Sequence, residues 1–112
     1  MDFPRLRADA AAVTSLIVKA SGGILFWVQI YNNNAAVRYL HIFDSATLPA
    51  NGTAPNIPPY SLPAGGASIQ PQLVDLGEAG LRFQNGIVVA NSTTQATLTI
   101  GSADSIITVA YI

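Results

Sequence analysis

The stretch ILFWVQIYNNNAAVRYLHIF, residues 24–43, decides the fold class. Its first eight residues are β-branched, aromatic or otherwise apolar around a single Gln29, the composition that fits a pleated and largely buried strand. Successive strand side chains point to opposite faces, so Phe26, Val28 and Ile30 share one face and Leu25, Trp27, Gln29 and Tyr31 the other. The first set is expected in the core, because the second contains Gln29 and two rings with polar tips. Both faces are apolar enough to be covered, one by a packed sheet and the other by a loop or a neighbouring subunit. Asn32-Asn33-Asn34 then turns the chain, since Asn tolerates left-handed backbone and hydrogen-bonds locally. AAVRYLHIF (35–43) predicts the return strand of a hairpin with 24–31. Arg38, Leu40 and Ile42 share one of its faces, and Val37, Tyr39, His41 and Phe43 the other. The pattern leaves open which of these is inward.

Outward from this stretch the same reading recurs in shorter pieces. TSLIVKA (14–20) reads as a strand ended by Ser21-Gly22-Gly23. Residues 67–76 read as a broken strand pair or one bulged strand, with Pro71 as the break, followed by a turn at Gly77, Glu78 and Gly80. Leu81-Arg82-Phe83, IVVANS (87–92), ATLTI (96–100) and SIITVAYI (105–112) complete the set, with Asn85-Gly86 as a turn dipeptide. In the last run Ile107, Val109 and Tyr111 alternate with Ile106, Thr108 and Ala110. The Gly22-Gly23 and Gly65-Gly66 pairs read as hairpin or bulge positions needing unusual φ. Four of the seven prolines fall between positions 55 and 63, so the stretch 44–66 is excluded from a central strand and admitted only at an edge. Ile57, Tyr60 and Leu62 are its apolar anchors. Residues 1–13 read as an N-terminal arm and 14–112 as a single domain, an all-β antiparallel sandwich or jelly-roll-like fold of seven or eight short strands.

Composition narrows the function classes. Charged residues are 10% of the 112, against about 25% in an ordinary soluble domain, while 50% are hydrophobic. Such a surface carries its polarity on amides and hydroxyls, or is buried in an assembly. A net charge of -1 gives no positive field for nucleic acid. The longest strongly apolar run, 24–30, is far short of the roughly twenty residues of a membrane helix. With no cysteine and one histidine, His41, a zinc site would draw most of its ligands from carboxylates, so His41 reads as structural. Asp75 and Glu78 sit on a Gly turn, and Asp44 with Ser45 and Thr47 reads as a turn cap. No phosphate loop or calcium loop is present. The expectation is no catalytic residue, no cofactor and no metal, and hence no enzyme.

Arg38-Tyr39-Leu40-His41-Ile42-Phe43-Asp44, the Pro-rich crossing 49–63, and Leu81, Phe83, Gly86, Ile87, Ala90 and Ser92-Thr93-Thr94 together resemble small structural proteins of tailed bacteriophages and prophages. The resemblance spans most of 15–112 and carries no catalytic residues. It implies a virion structural protein, of the capsid-decoration or cement type. Its implied partners are copies of itself in a trimer and a major capsid protein, with no direct contact to nucleic acid or membrane, on the capsid surface. A receptor- or carbohydrate-binding module of a tail or fibre is the alternative. The candidate interface residues are Phe3, Arg5, Leu6 and Arg7 in the arm, with Trp27, Tyr31 and Tyr60 in the body.

Overall fold

Alternating apolar runs become two packed sheets here, but not through local hairpins. The structure, a computed structural model, describes residues 4–8, 12–65 and 71–112. Its strands are β1 (Arg5–Ala8), β2 (Ser15–Lys19), β3 (Gly23–Asn32), β4 (Arg38–Phe43), β5 (Tyr60–Leu62), β6 (Gln72–Asp75), β7 (Leu81–Phe83), β8 (Ile87–Ser92) and β9 (Ser105–Tyr111). One sheet runs β1-β9-β3-β6, with β7 also on β3, and the other runs β2-β8-β4-β5. Every pairing is antiparallel.

The connectivity is a nested one. β4 pairs with β5, β3 with β6 and β7, β2 with β8, and β1 with β9. Successive shells of this long antiparallel ribbon fall alternately in the two sheets, and the ribbon closes on itself where β9 meets β3 and β8 meets β4. With β6 and β7 taken as one strand broken at the Gly77–Gly80 turn, this is jelly-roll topology, two sheets filled by Greek-key crossings.

The hairpin expected between 24–31 and 35–43 is therefore not formed, because β3 and β4 lie in different sheets. The Asn-rich connection is a corner, and its side chains explain why it crosses. Asn32 is 3% exposed, and its amide donates to Ala36 O and Pro63 O, both at 3.0 Å, while its Oδ1 accepts from Asn34 N at 3.1 Å. Asn34 donates to the Asp104 carboxylate at 2.7 Å and accepts from Ala36 N at 2.8 Å. These bonds tie the corner to the loops before β6 and before β9, leaving no two-residue turn to close a hairpin.

The expected core face of β3 is corrected at two adjacent positions, Leu25 and Phe26. Leu25 pairs with Tyr111 and Trp27 with Ala110, so two residues of β3 advance against one of β9. This bulge at Phe26 shifts the alternation: Leu25, Val28 and Ile30 are fully buried, and Phe26 is only half-buried. The Phe26 carbonyl accepts from Leu76 N at 2.9 Å, so the bulge also ends β6.

Three other segments differ from the local reading. Part of the N-terminal segment read as an arm is an edge strand, β1, in register with β9. ATLTI (96–100) is not a strand; it folds over the outside of β4 and β8, where Leu98 packs on Phe43, Val88 and Ala90. The proline-rich stretch contributes β5 at the edge, where proline's missing donor costs nothing, so the strands number nine among the described residues. Glycine also acts differently from expectation. Gly22, Gly23 and Gly65 do not have positive φ; their missing side chains admit Gln84 O, Ile112 O and Asn32 O respectively.

The main core lies between the sheets, where Leu25, Val28, Ile30, Ile107 and Val109 face Leu40, Ile42, Ile87 and Val89. A second, smaller core lies on the outside of the four-stranded sheet beneath residues 93–100. That double cover is why all six residues of β8 are buried, and it answers the open question on β4: both of its faces are inward.

Candidate functional site

Among the described residues, no such segment lies over the outside of the five-stranded sheet. Cross-strand partners point to the same side, so the register itself lays out this face. Trp27 stands between Asp75 on β6 and Ala110 on β9; Gln29 stands between Leu73 and Thr108; Tyr31 stands beside Ile106. Leu6 on β1 adjoins Ala110 from the other side. Outward positions of a sandwich are ordinarily polar. Here Leu6 is 71% exposed, Leu73 63% and Ile106 40%, and Trp27 and Tyr31 are half-buried among them. Ala110, flanked in register by Leu6 and Trp27, is 2% exposed. The polar members of these rows are Gln29 and Thr108, both neutral, and Asp75 at the margin. No Lys or Arg belongs to these rows, and the cation on this side of the sheet, Arg82, stands at the margin opposite Ile24. The arrangement can bury apolar area against a matching surface with neutral hydrogen bonds, and without desolvating cations.

Of the residues expected at an interface, this face gathers Leu6, Trp27 and Tyr31. It does not gather the others. Arg5 and Arg7 alternate to the opposite side of β1, and the Arg7 guanidinium donates to Ile17 O at 2.7 Å, tying the edge strands of the two sheets together. Tyr60 lies on β5 in the other sheet, opposite Leu40. Phe3 lies outside the described residues. Leu73 and Ile106 were missed by the sequence reading. The alternation of SIITVAYI already placed Ile106 opposite Ile107, but only the β9–β3 register puts it beside Tyr31.

The titratable groups elsewhere do structural work. Asp44 accepts from Asn85 N at 2.7 Å, Gln84 N at 3.1 Å and Gly86 N at 3.4 Å, and the amides of Asn85 and then Gln84 hold its carboxyl below the ordinary range. It caps the β7–β8 turn from the end of β4, and does not cap its own turn. His41 is fully buried in the second core, beside the Phe43 ring. Among the described residues no three His, Asp or Glu side chains gather as a metal site. At one end of the sandwich an open depression of about 580 Å³ is bordered by Lys19, Arg82 and Gln84, with glycine and apolar residues between; its titratable side chains are two cations. No family model, curated protein or solved structure matches the chain.

Proposed function

We propose that this is a non-enzymatic virion structural protein of the capsid-decoration kind, which assembles with copies of itself through the outer face of its five-stranded sheet. The observation that carries the reading is the apolar face on which Leu6, Leu73 and Ile106 stand exposed beside Trp27 among the described residues, in a chain with few charges to keep it in water. The opposite sheet of the same molecule has its outer apolar positions covered by residues 93–100. That contrast supports reading the first face as one for another molecule. Jelly rolls serve both viral shells and lectins, so the fold is compatible with this function and does not select it. The virion itself enters through the sequence resemblance, as does the trimer, the stoichiometry of three-fold positions between capsid tiles.

Light scattering on the purified protein tests the assembly step. The wild type is expected to be a trimer at micromolar concentration, and Leu73→Asn with Ile106→Asn a folded monomer. A monomeric wild type sinks the proposal for this face. Restoring the protein to particles stripped of it then tests cementing: the restored particles are expected to withstand heating that ruptures the stripped ones. Equal rupture, with saturable binding to a glycan or receptor instead, would move the protein to the adhesion role.

A further inference from the structure

A buried titratable group of unusual setting among the described residues is on the other sheet. His41 is 0% exposed, and neither Nδ1 nor Nε2 has a hydrogen-bond partner of good geometry, the Gln95 and Thr94 backbone of the covering segment being the polar groups near the ring. A buried polar group without a partner costs free energy, and a buried charge costs far more. The ring lies on the outer side of β4, opposite Ala90 on β8, with the Phe43 ring centroid 6.0 Å away. Its roof is the segment 93–98, TTQATL, whose side chains carry no charge.

That roof is bonded within itself, from Thr93 N to Thr99 O at 2.9 Å and from Thr94 Oγ1 to Thr97 O at 2.7 Å, and is tied to the body through Ser92 and the 52–53 loop. Ser92 Oγ accepts from Thr94 N at 3.2 Å and Thr99 N at 3.0 Å, and donates to Thr94 O at 2.7 Å. Farther along, Gly52 N donates to Leu98 O at 2.7 Å and Leu98 N to Thr53 O at 2.8 Å. Residues 94–97 are exposed, and Leu98 is the segment's one side chain sunk into the second core. The floor beneath His41, by contrast, is the centre of a sheet. We propose that residues 93–98 form an acid-sensitive flap, latched by neutral His41, that opens on protonation of the imidazole and uncovers Phe43, Val88 and Ala90.

The groups facing the ring offer an imidazolium no counter-charge. β8 presents Val88, Ala90 and Ser92; the flap presents Thr94, Gln95 and Leu98; β4 itself presents Tyr39 and Phe43 on this side. Arg38 and Tyr60, the nearest titratable groups on the neighbouring positions of β4 and β5, belong to the other side of the sheet. Burial lowers the His41 pKa from its ordinary 6.5, and the nearby backbone of Gln95 and Thr94 offsets only part of that. The sign follows. The open form binds the proton more readily than the closed one, so closure is at full strength above about pH 6.5 and weakens as pH falls below it. The open population rises by up to tenfold per pH unit, until the closed form itself titrates.

Amide hydrogen exchange across pH 8 to 5, corrected for intrinsic rates, tests this on the wild-type protein. Protection of the Leu98, Thr99 and Gly52 amides is expected to fall by up to tenfold per unit below about pH 6.5, while the β3–β9 ladder keeps its protection. In His41→Phe the loss at these three amides is expected to vanish. NMR titration of the wild-type imidazole, which does not depend on that variant folding, is expected to give a midpoint below 6.5. A midpoint at or above 6.5, pH-independent protection, or loss of the β3–β9 ladder in step with the flap would each overturn the proposal.

Discussion

Replacing Asn32 tests the corner on which the jelly-roll crossing turns. Its carboxamide makes three hydrogen bonds with Ala36 O, Pro63 O and Asn34 N, at 3 % exposure. Asn32→Ala removes all three and strands two carbonyls and one amide. At a net value of about 1 kcal/mol per bond the loss is about 3 kcal/mol, a large share of a total stability of about 5–15 kcal/mol. A chain of 112 residues unfolds with an entropy of about 0.24 kcal/mol/K, so Tm should fall by about 13 °C. Asn32→Asp sharpens the test, because it sets carboxylate oxygens against the Ala36 and Pro63 carbonyls. The folded form then holds the aspartate proton more tightly than the unfolded chain does. Relative to wild type, this variant should be least impaired below about pH 4 and should lose stability as pH rises through its raised pKa. Urea denaturation of the three proteins at pH 4 and pH 7 measures both effects. A loss under about 1 kcal/mol for Asn32→Ala, or an Asn32→Asp no worse than Asn32→Ala at pH 7, would show that the corner does not depend on this side chain.

Two further substitutions probe the turn between β7 and β8. Asp44→Asn weakens the cap on Gln84, Asn85 and Gly86; because these amides hold the Asp44 pKa below 3.8, wild-type stability from this source is complete above that pH and lost as pH falls through the folded value, so a Tm-against-pH series should show a shallower acid limb for the variant. Gly86→Ala places a methyl against Ser45 O and 2.7 Å from Ala46 Cα, both backbone atoms that cannot rotate away, and should cost about 1–3 kcal/mol in urea denaturation.

Period-two alternation is a local property, and what depends on it was legible in the residues themselves. β2, β3, β4, β8 and β9 lie where alternation places them, Val28 and Ile30 face the core, and the proline-rich stretch goes no further in than an edge. The all-β sandwich class follows from those elements. Strand partnership is not local. The partner of Leu6 is Ala110 and that of Leu16 is Val89, and nothing within a few residues of either specifies the other. Asn32-Asn33-Asn34 looks like a hairpin turn in one dimension, and becomes a corner because Pro63 O and Asp104 converge on it in three. Leu25 and Phe26 exchange places because β9 advances one residue where β3 advances two, a mismatch that exists only once both strands are paired. ATLTI has strand composition, yet its apolar residue is used better as a plug over Phe43 and Val88 than as one more strand. The candidate face divides the same way. Trp27, Tyr31 and Leu6 were identifiable as large side chains off the core, whereas their union with Leu73 and Ile106 into one surface is a product of register. Sequence alone determined which side chains must be buried or paired; tertiary structure decided with what, because burial can be satisfied by many partners and only the closed ribbon selects among them.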